Sequence, residues 1–377
     1  MQNQISVQEP RTKYPEAATS PTTTLVSGCN SEGGANQGVR MGGSSADPPF
    51  ETTYKNLLDK SVQQKMNLSV VDQECCELPL IDLKQLGLGE VERQACKKLI
   101  AQASREWGFF QVINHGVSPD VMETMRAEQM KLFQKPFEEK KAYKDLNFPA
   151  GSYRWGTPSP TSLNQLSWSE AFHVHLTDIL GSAGLTTLRS SMEQFAFTVS
   201  EVAQELANIL AEEMGRETDL FKETCLPSSC YLRLNRYPPC PTYSHMMGLM
   251  PHTDTSFLTV LHQDNVGGLQ LLKDGKWIAV KPNPRALIIN IGDLFQAWSN
   301  NLYKSVEHRV LANPVKERFS TAYFFCPPHD TVIQSAAVEE PGVYRSFSFG
   351  EYKKQIELDV RSTGQKVGLQ RFLLPAH

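Results

Sequence analysis

His252-Thr-Asp254 sets an imidazole and a carboxylate two residues apart, and in an extended segment, where side chains repeat every second position, both project from one face. A third group of metal-ligating type, His308, stands 54 residues beyond Asp254 in Ser305-Val-Glu-His-Arg-Val310, enough chain to fold back onto the pair. Two imidazoles and one carboxylate make the facial triad that holds ferrous iron and leaves three adjacent coordination positions open. A His-x-Asp pair alone arises often by chance, so the triad needs support from its surroundings. Ten residues past His308, Arg318-Phe-Ser320 puts a guanidinium and a hydroxyl on one strand face, where they can clasp a carboxylate by a charge-assisted pair and a hydroxyl bond. Upstream, Asn235-Arg-Tyr237 adds a phenol suited to the same anion. Together these residues read as a centre that oxidises a small organic molecule with dioxygen. Zinc hydrolysis would accept the same three ligands, but it wants a separate general base and leaves Arg318 without a task.

The elements that must position these groups follow from periodicity. From Tyr231 on, the pattern is one of short strands between turns: Tyr231–Asn235, Phe257–His262, Leu269–Lys273, Trp277–Lys281, Ala286–Ile291, Glu307–Leu311 and Phe319–Cys326. Asp274-Gly275 is a two-residue hairpin signal, because its turn type needs positive φ at both central positions. Such a series fits a jelly roll or barrel. Before it, Leu78–Leu83 and Gly108–Asn114 read as strands, Glu90–Trp107 and Pro119–Phe133 as helices. Thr186–Met214 is a long helix whose stripe Leu188, Met192, Phe195, Val199, Val202, Leu206 and Ile209 is core packing. The expected fold is α+β and mainly β: a double-stranded β-helix (jelly roll) core with an N-terminal α/β layer and supporting helices. The expected domains are a disordered tail over 1–46, poor in large apolar residues, an α/β and helical region over 47–220, and the jelly roll over 221–377.

Composition excludes several other classes. Charged residues make up 21%, the net charge is -4, and the basic residues are scattered, so a nucleic-acid partner is not expected. No apolar run reaches membrane-spanning length. The eight cysteines show neither regular spacing nor a Cys-x-x-Cys pair and read as reduced thiols, and the N-terminus has no apolar stretch behind a basic start. A cytoplasmic protein is expected, with the nucleus left open, and a monomer, with an oligomer left open.

The motifs as a set resemble the signature of the plant 2-oxoglutarate and Fe(II)-dependent dioxygenases: His252-x-Asp254, His308, Arg318-x-Ser320 and Asn235-x-Tyr237, with a similarity running from about Leu78 to Leu374. The family's Trp-Gly-Phe-Phe element is present as Trp107 to Gly116, which makes His115 a structural residue and no ligand. The resemblance implies Fe(II) on His252, Asp254 and His308, with 2-oxoglutarate on Arg318, Ser320, Tyr237 and Asn235. It also implies ascorbate as reductant, and hydroxylation driven by oxidative decarboxylation of the cosubstrate.

Within that family the chain is most similar to gibberellin 2-oxidases, in the subgroup acting on twenty-carbon gibberellins, through Gly151-Ser-Tyr-Arg-Trp-Gly-Thr-Pro-Ser, Gln165-Leu-Ser-Trp-Ser-Glu-Ala-Phe-His173 and Asn290-Ile-Gly-Asp-Leu-Phe-Gln-Ala-Trp-Ser-Asn-Asn. This implies 2β-hydroxylation of a gibberellin, lowering active hormone. A flavonoid, or oxidation at gibberellin carbon 20, is the alternative within the same chemistry, and a non-catalytic small-molecule-binding jelly roll the alternative outside it. A rigid diterpenoid acid needs aromatic walls and a cation, for which Tyr153, Arg154, Trp155 and Phe325 are the candidates. The chain departs from the subgroup at Pro160 and Thr255-Ser256, where substrate fit is expected to be affected, and at His262, a packing residue in place of Tyr.

Overall fold

A computed structural model describes residues 45–63, 75–142, 148–149, 151–179, 186–216, 219–241, 246–336 and 342–375. The expected tail lies almost wholly outside them. In chain order the principal strands are β1 (Cys75–Cys76), β2 (Leu80–Asp82), β3 (Phe109–Ile113), β4 (Tyr153–Trp155), β5 (Glu170–His175), β6 (Tyr231–Tyr237), β7 (Met247–His252), β8 (Leu258–Gln263), β9 (Leu269–Lys273), β10 (Lys276–Val280), β11 (Leu287–Ile291), β12 (His308–Leu311) and β13 (Arg318–Phe325). They form two sheets. One has five strands in the order β1-β10-β9-β12-β7, the other eight in the order β2-β3-β11-β8-β13-β6-β5-β4. All pairings are antiparallel except β1 with β10 and β2 with β3. The two sheets make the jelly roll, and β2 to β5 extend its larger sheet, so strands from both expected ordered regions share one hydrogen-bonded layer.

The Asp274-Gly275 turn has φ of 51° and 77°, as a hairpin joining β9 to β10 requires. The Thr187–Glu212 helix buries all seven residues of the expected stripe, and it packs on β8 and β13 of the large sheet. This fixes one face of that sheet against a helical core and leaves the other to line a cavity. Gly108, at φ 60°, admits a close backbone approach, since a Cβ there would sit 2.2 Å from the Lys304 carbonyl oxygen. His115 is buried, with Nε2 facing the Arg285 carbonyl at 3.3 Å and Nδ1 accepting from the Val117 N–H at 3.3 Å, the structural role expected of it. No described helix is long and apolar enough to cross a membrane.

Candidate active site

The two triad histidines end adjacent strands of the small sheet. His252 closes β7 and His308 opens β12, and the antiparallel register sets them directly opposite each other, with ring centroids 4.3 Å apart. Asp254 follows β7 by two residues and brings Oδ1 to 3.6 Å from Nε2 of His252 and 3.8 Å from Nε2 of His308. One ligand atom from each residue lies within 4.8 Å of the others, the one such cluster of three among the described residues.

Hydrogen bonds decide which atoms are free for a metal. Nδ1 of His252 lies 2.8 Å from the Met250 carbonyl and Nδ1 of His308 3.1 Å from that of Val306. A carbonyl can only accept, so each Nδ1 carries the proton and each Nε2 turns its lone pair to the centre. Asp254 Oδ2 accepts from Thr259 Oγ1 at 2.7 Å and from Asn290 Nδ2 at 2.8 Å, which leaves Oδ1 for the centre. Thr259 and Asn290 stand on β8 and β11 of the large sheet, so the carboxylate is held between the sheets. Burial, then the neighbouring His308, drive the His252 imidazole well below its ordinary value and keep it neutral. Burial alone would raise the Asp254 carboxyl, but the two imidazoles and the two donated hydrogen bonds outweigh it and hold it down. A neutral imidazole at His252 and an ionised carboxylate at Asp254 are protonation states that a divalent cation needs.

A cavity of about 310 Å³ opens on this centre. One wall is a ladder formed by β6 and β13, whose register pairs Tyr237 with Arg318, Asn235 with Ser320, Arg233 with Ala322 and Tyr231 with Phe324. All eight of these residues line the cavity. The Arg318 guanidinium is buried and lies over the Tyr237 ring at 4.8 Å. It donates Nη2 to Gln263 Oε1 at 2.8 Å and meets Ser320 Oγ at 3.5 Å, while its Nε has no partner. Among the described residues no carboxylate pairs with it, so this end of the cavity is a buried cation awaiting an anion. Arg318, Ser320, Tyr237 and Asn235 thus come together as the motif spacing implied.

The four expected substrate residues, Tyr153, Arg154, Trp155 and Phe325, do not line the cavity. The Tyr153 hydroxyl is bound to Glu170 Oε2 at 2.5 Å and its ring packs in the core. Arg154 is exposed and donates Nε to the Gly151 carbonyl at 3.4 Å. Trp155 packs edge-on against Phe50 and Phe137. Phe325 points to the helical face of β13, beside Phe221. The cavity is lined also by His173, Tyr231, Arg233 and Phe324, and by Ile356 and Val360 of the Phe349–Thr363 helix. The strand period of two, run on from Asn235 and Tyr237 and from Arg318 and Ser320, points to Arg233, Tyr231 and Phe324. Of the departures from the subgroup pattern, Thr255 lines the cavity and Pro160 does not. His262 faces away from it, toward the Pro284 carbonyl at 3.3 Å.

Comparison with known proteins adds a family context. The model of the 2OG-Fe(II) oxygenase superfamily matches residues 228–327, and that of the non-haem dioxygenase in morphine synthesis N-terminal region matches residues 78–186. Gibberellin 2-beta-dioxygenase 8 of Arabidopsis thaliana is 58% identical over 338 residues, covering 87% of this chain and 98% of that protein. Gibberellin 2-beta-dioxygenase 6 of Oryza sativa subsp. japonica is 52% identical over 308 residues, covering 78% and 85% respectively. Among solved structures, JOX2 in complex with 2OG, Fe and JA superposes with a TM-score of 0.66 at 29% identity, covering 88% of this chain and 100% of that one. The dioxygenase for auxin oxidation of rice has a TM-score of 0.64 at 29% identity, with coverages of 79% and 100%.

Proposed function

We propose that this chain, which belongs to the 2-oxoglutarate and Fe(II)-dependent oxygenase superfamily and within it to the gibberellin 2-beta-dioxygenases, 2β-hydroxylates gibberellins, in particular twenty-carbon precursors, and so lowers active hormone. Its cofactor is Fe(II) and its cosubstrate 2-oxoglutarate, with ascorbate as reductant in the proposed reaction. The observation that carries the reading is a single cavity with the triad at its side and an unpaired buried cation at its end. When bound, iron and 2-oxoglutarate supply the oxidising chemistry: one oxygen atom of dioxygen goes into succinate as carbon dioxide leaves, and the other into a substrate C–H bond.

The remaining work falls to the protein's own side chains. His252, Asp254 and His308 would hold the metal through Nε2, Oδ1 and Nε2, and the Met250 and Val306 carbonyls keep both rings in the required tautomer. Arg318, with Ser320 and Asn235 beside it, would take the distal carboxylate of the cosubstrate, and Tyr237 forms the floor under the guanidinium. Holding the reacting groups in one orientation inside a buried cleft is the protein's part of such catalysis.

The test is incubation with iron, ascorbate, 2-oxoglutarate and a panel of nineteen- and twenty-carbon gibberellins, with products identified by mass spectrometry. A 2-hydroxylated product is expected, made faster from the twenty-carbon compounds. Absence of such a product from every gibberellin would remove the substrate assignment, and equal or slower turnover of the twenty-carbon compounds would remove the preference.

A further inference from the structure

Three cations line the cavity, and two of them are committed. Arg318 belongs to the cosubstrate end, and Lys366 is spent on Asp293 and on the Thr253 carbonyl at 2.8 Å. The third, Arg233, makes no side-chain hydrogen bond or ion pair with any described residue, although it is partly buried on the cavity face of β6. Its neighbours across the sheet leave it open. Ala322 faces it on β13, the one methyl side chain in a ladder otherwise built of Arg, Ser and Phe, and His173 faces it on β5. Beside and beyond it, away from the cosubstrate end, the wall becomes aromatic. His173 stacks on Tyr231 with centroids 4.1 Å apart and planes at 23°, and Tyr231 stacks on Phe324 at 4.6 Å and 13°.

Arg233 lies two residues along β6 from Asn235, or roughly 7 Å further from the cosubstrate clasp. A cation at that distance cannot serve the anion that Arg318 takes, yet it faces the same cavity. Its position suits a second carboxylate, borne by a rigid apolar body that rests against three stacked rings. We propose that Arg233 anchors the carboxylate of the gibberellin, with the ring system laid along the His173, Tyr231 and Phe324 wall and beneath Ile356 and Val360. This rests on the function proposed above and assigns the residue that recognises the acid.

The test is calorimetric titration of the anaerobic, iron- and 2-oxoglutarate-loaded protein with a turned-over gibberellin and with its methyl ester, which keeps the rings and removes the charge. The native protein is expected to bind the acid about 10- to 100-fold more tightly than the ester, the range of a charge-assisted hydrogen bond. Arg233→Met is expected to bind the acid as weakly as the ester, and Arg233→Lys to recover part of the preference. Ala322→Leu, which keeps the charge and fills the space beside it, is expected to weaken acid and ester together. If Arg233→Met lacks the near-UV dichroism of the native fold, Arg233→Gln carries the same comparison. A neutral variant that retains the full acid preference overturns the anchor and leaves the gibberellin reading standing. A native protein that binds neither acid nor ester overturns the reading on which the anchor rests.

Discussion

Replacing Arg318 by Met should separate cosubstrate binding from folding, because the structure assigns the two effects opposite signs. The guanidinium offers a carboxylate its unpartnered Nε and the Nη1 that makes only a 3.5 Å contact with Ser320. Two charge-assisted hydrogen bonds at about 1.5–3 kcal/mol each come to roughly 3–6 kcal/mol, so 2-oxoglutarate affinity should fall by at least about 100-fold. Without an anion the accounting differs. Removing the side chain forfeits the bond to Gln263 and the stacking on Tyr237, about 1–2 kcal/mol each. It also removes a buried cation with no carboxylate partner, whose desolvation costs several kcal/mol. The thermal midpoint of the ligand-free protein should therefore hold or rise, while the stabilisation on adding 2-oxoglutarate with Mn(II), about 4 kcal/mol in the native protein at a thousand times its Kd, should fall to about 1.4 kcal/mol or less at the same concentration. Scanning calorimetry with and without cosubstrate measures both. A variant that melts well below the native protein yet binds 2-oxoglutarate within a few-fold of it would refute the reasoning and make Arg318 a structural residue.

Three further outcomes follow from the same geometry. Asn290→Leu removes the 2.8 Å bond to Asp254 Oδ2 and should lower metal affinity by about 10- to 100-fold, read by titration with Mn(II) or Co(II), with the fold retained. A Cβ at Gly248 would sit 2.6 Å from the Tyr237 ring, so Gly248→Val should tilt that ring from under Arg318 and raise the KM for 2-oxoglutarate about tenfold at unchanged metal stoichiometry. Burial first, then His175 and nearby cations, push the His173 imidazole down to about 3, whereas the unfolded chain titrates near 6.5. Between those values the unfolded state binds the extra proton, so the stability that His173 contributes is fully present above pH 6.5 and is lost on acidification. His173→Gln should flatten the decline in unfolding free energy between pH 6.5 and 4 by at most about 1.4 kcal/mol per pH unit, measured by urea denaturation.

What the sequence disclosed and what it withheld divide along a physical line. The long helix, the hairpin at Asp274-Gly275 and the seven short strands all rest on local signals, a repeat of 3.6 or 2 and a turn that needs positive φ, and all are present within a residue or two. β7 carries His252 yet was not legible, because Met247-Gly-Leu-Met-Pro-His252 lacks β-branched residues and contains Pro251. Only its pairing with β12, itself irregular in register, makes it a strand. β5 was hidden for a different reason: it begins on Glu170, a carboxylate fully buried between Lys140 at 2.6 Å and Arg236 at 2.7 Å, partners 30 and 66 residues away. No local pattern marks an acid as an interior residue when its compensating charges come from elsewhere. The cavity wall shows how narrow the margin is. Arg318 and Ser320 fix the parity of β13, and that parity sends Phe324 into the cavity and Phe325 to Phe221 on the other face. The motif therefore fixed which aromatic lines the cavity, and a shift of one residue along a strand of period two was enough to exchange a cavity wall for a core contact.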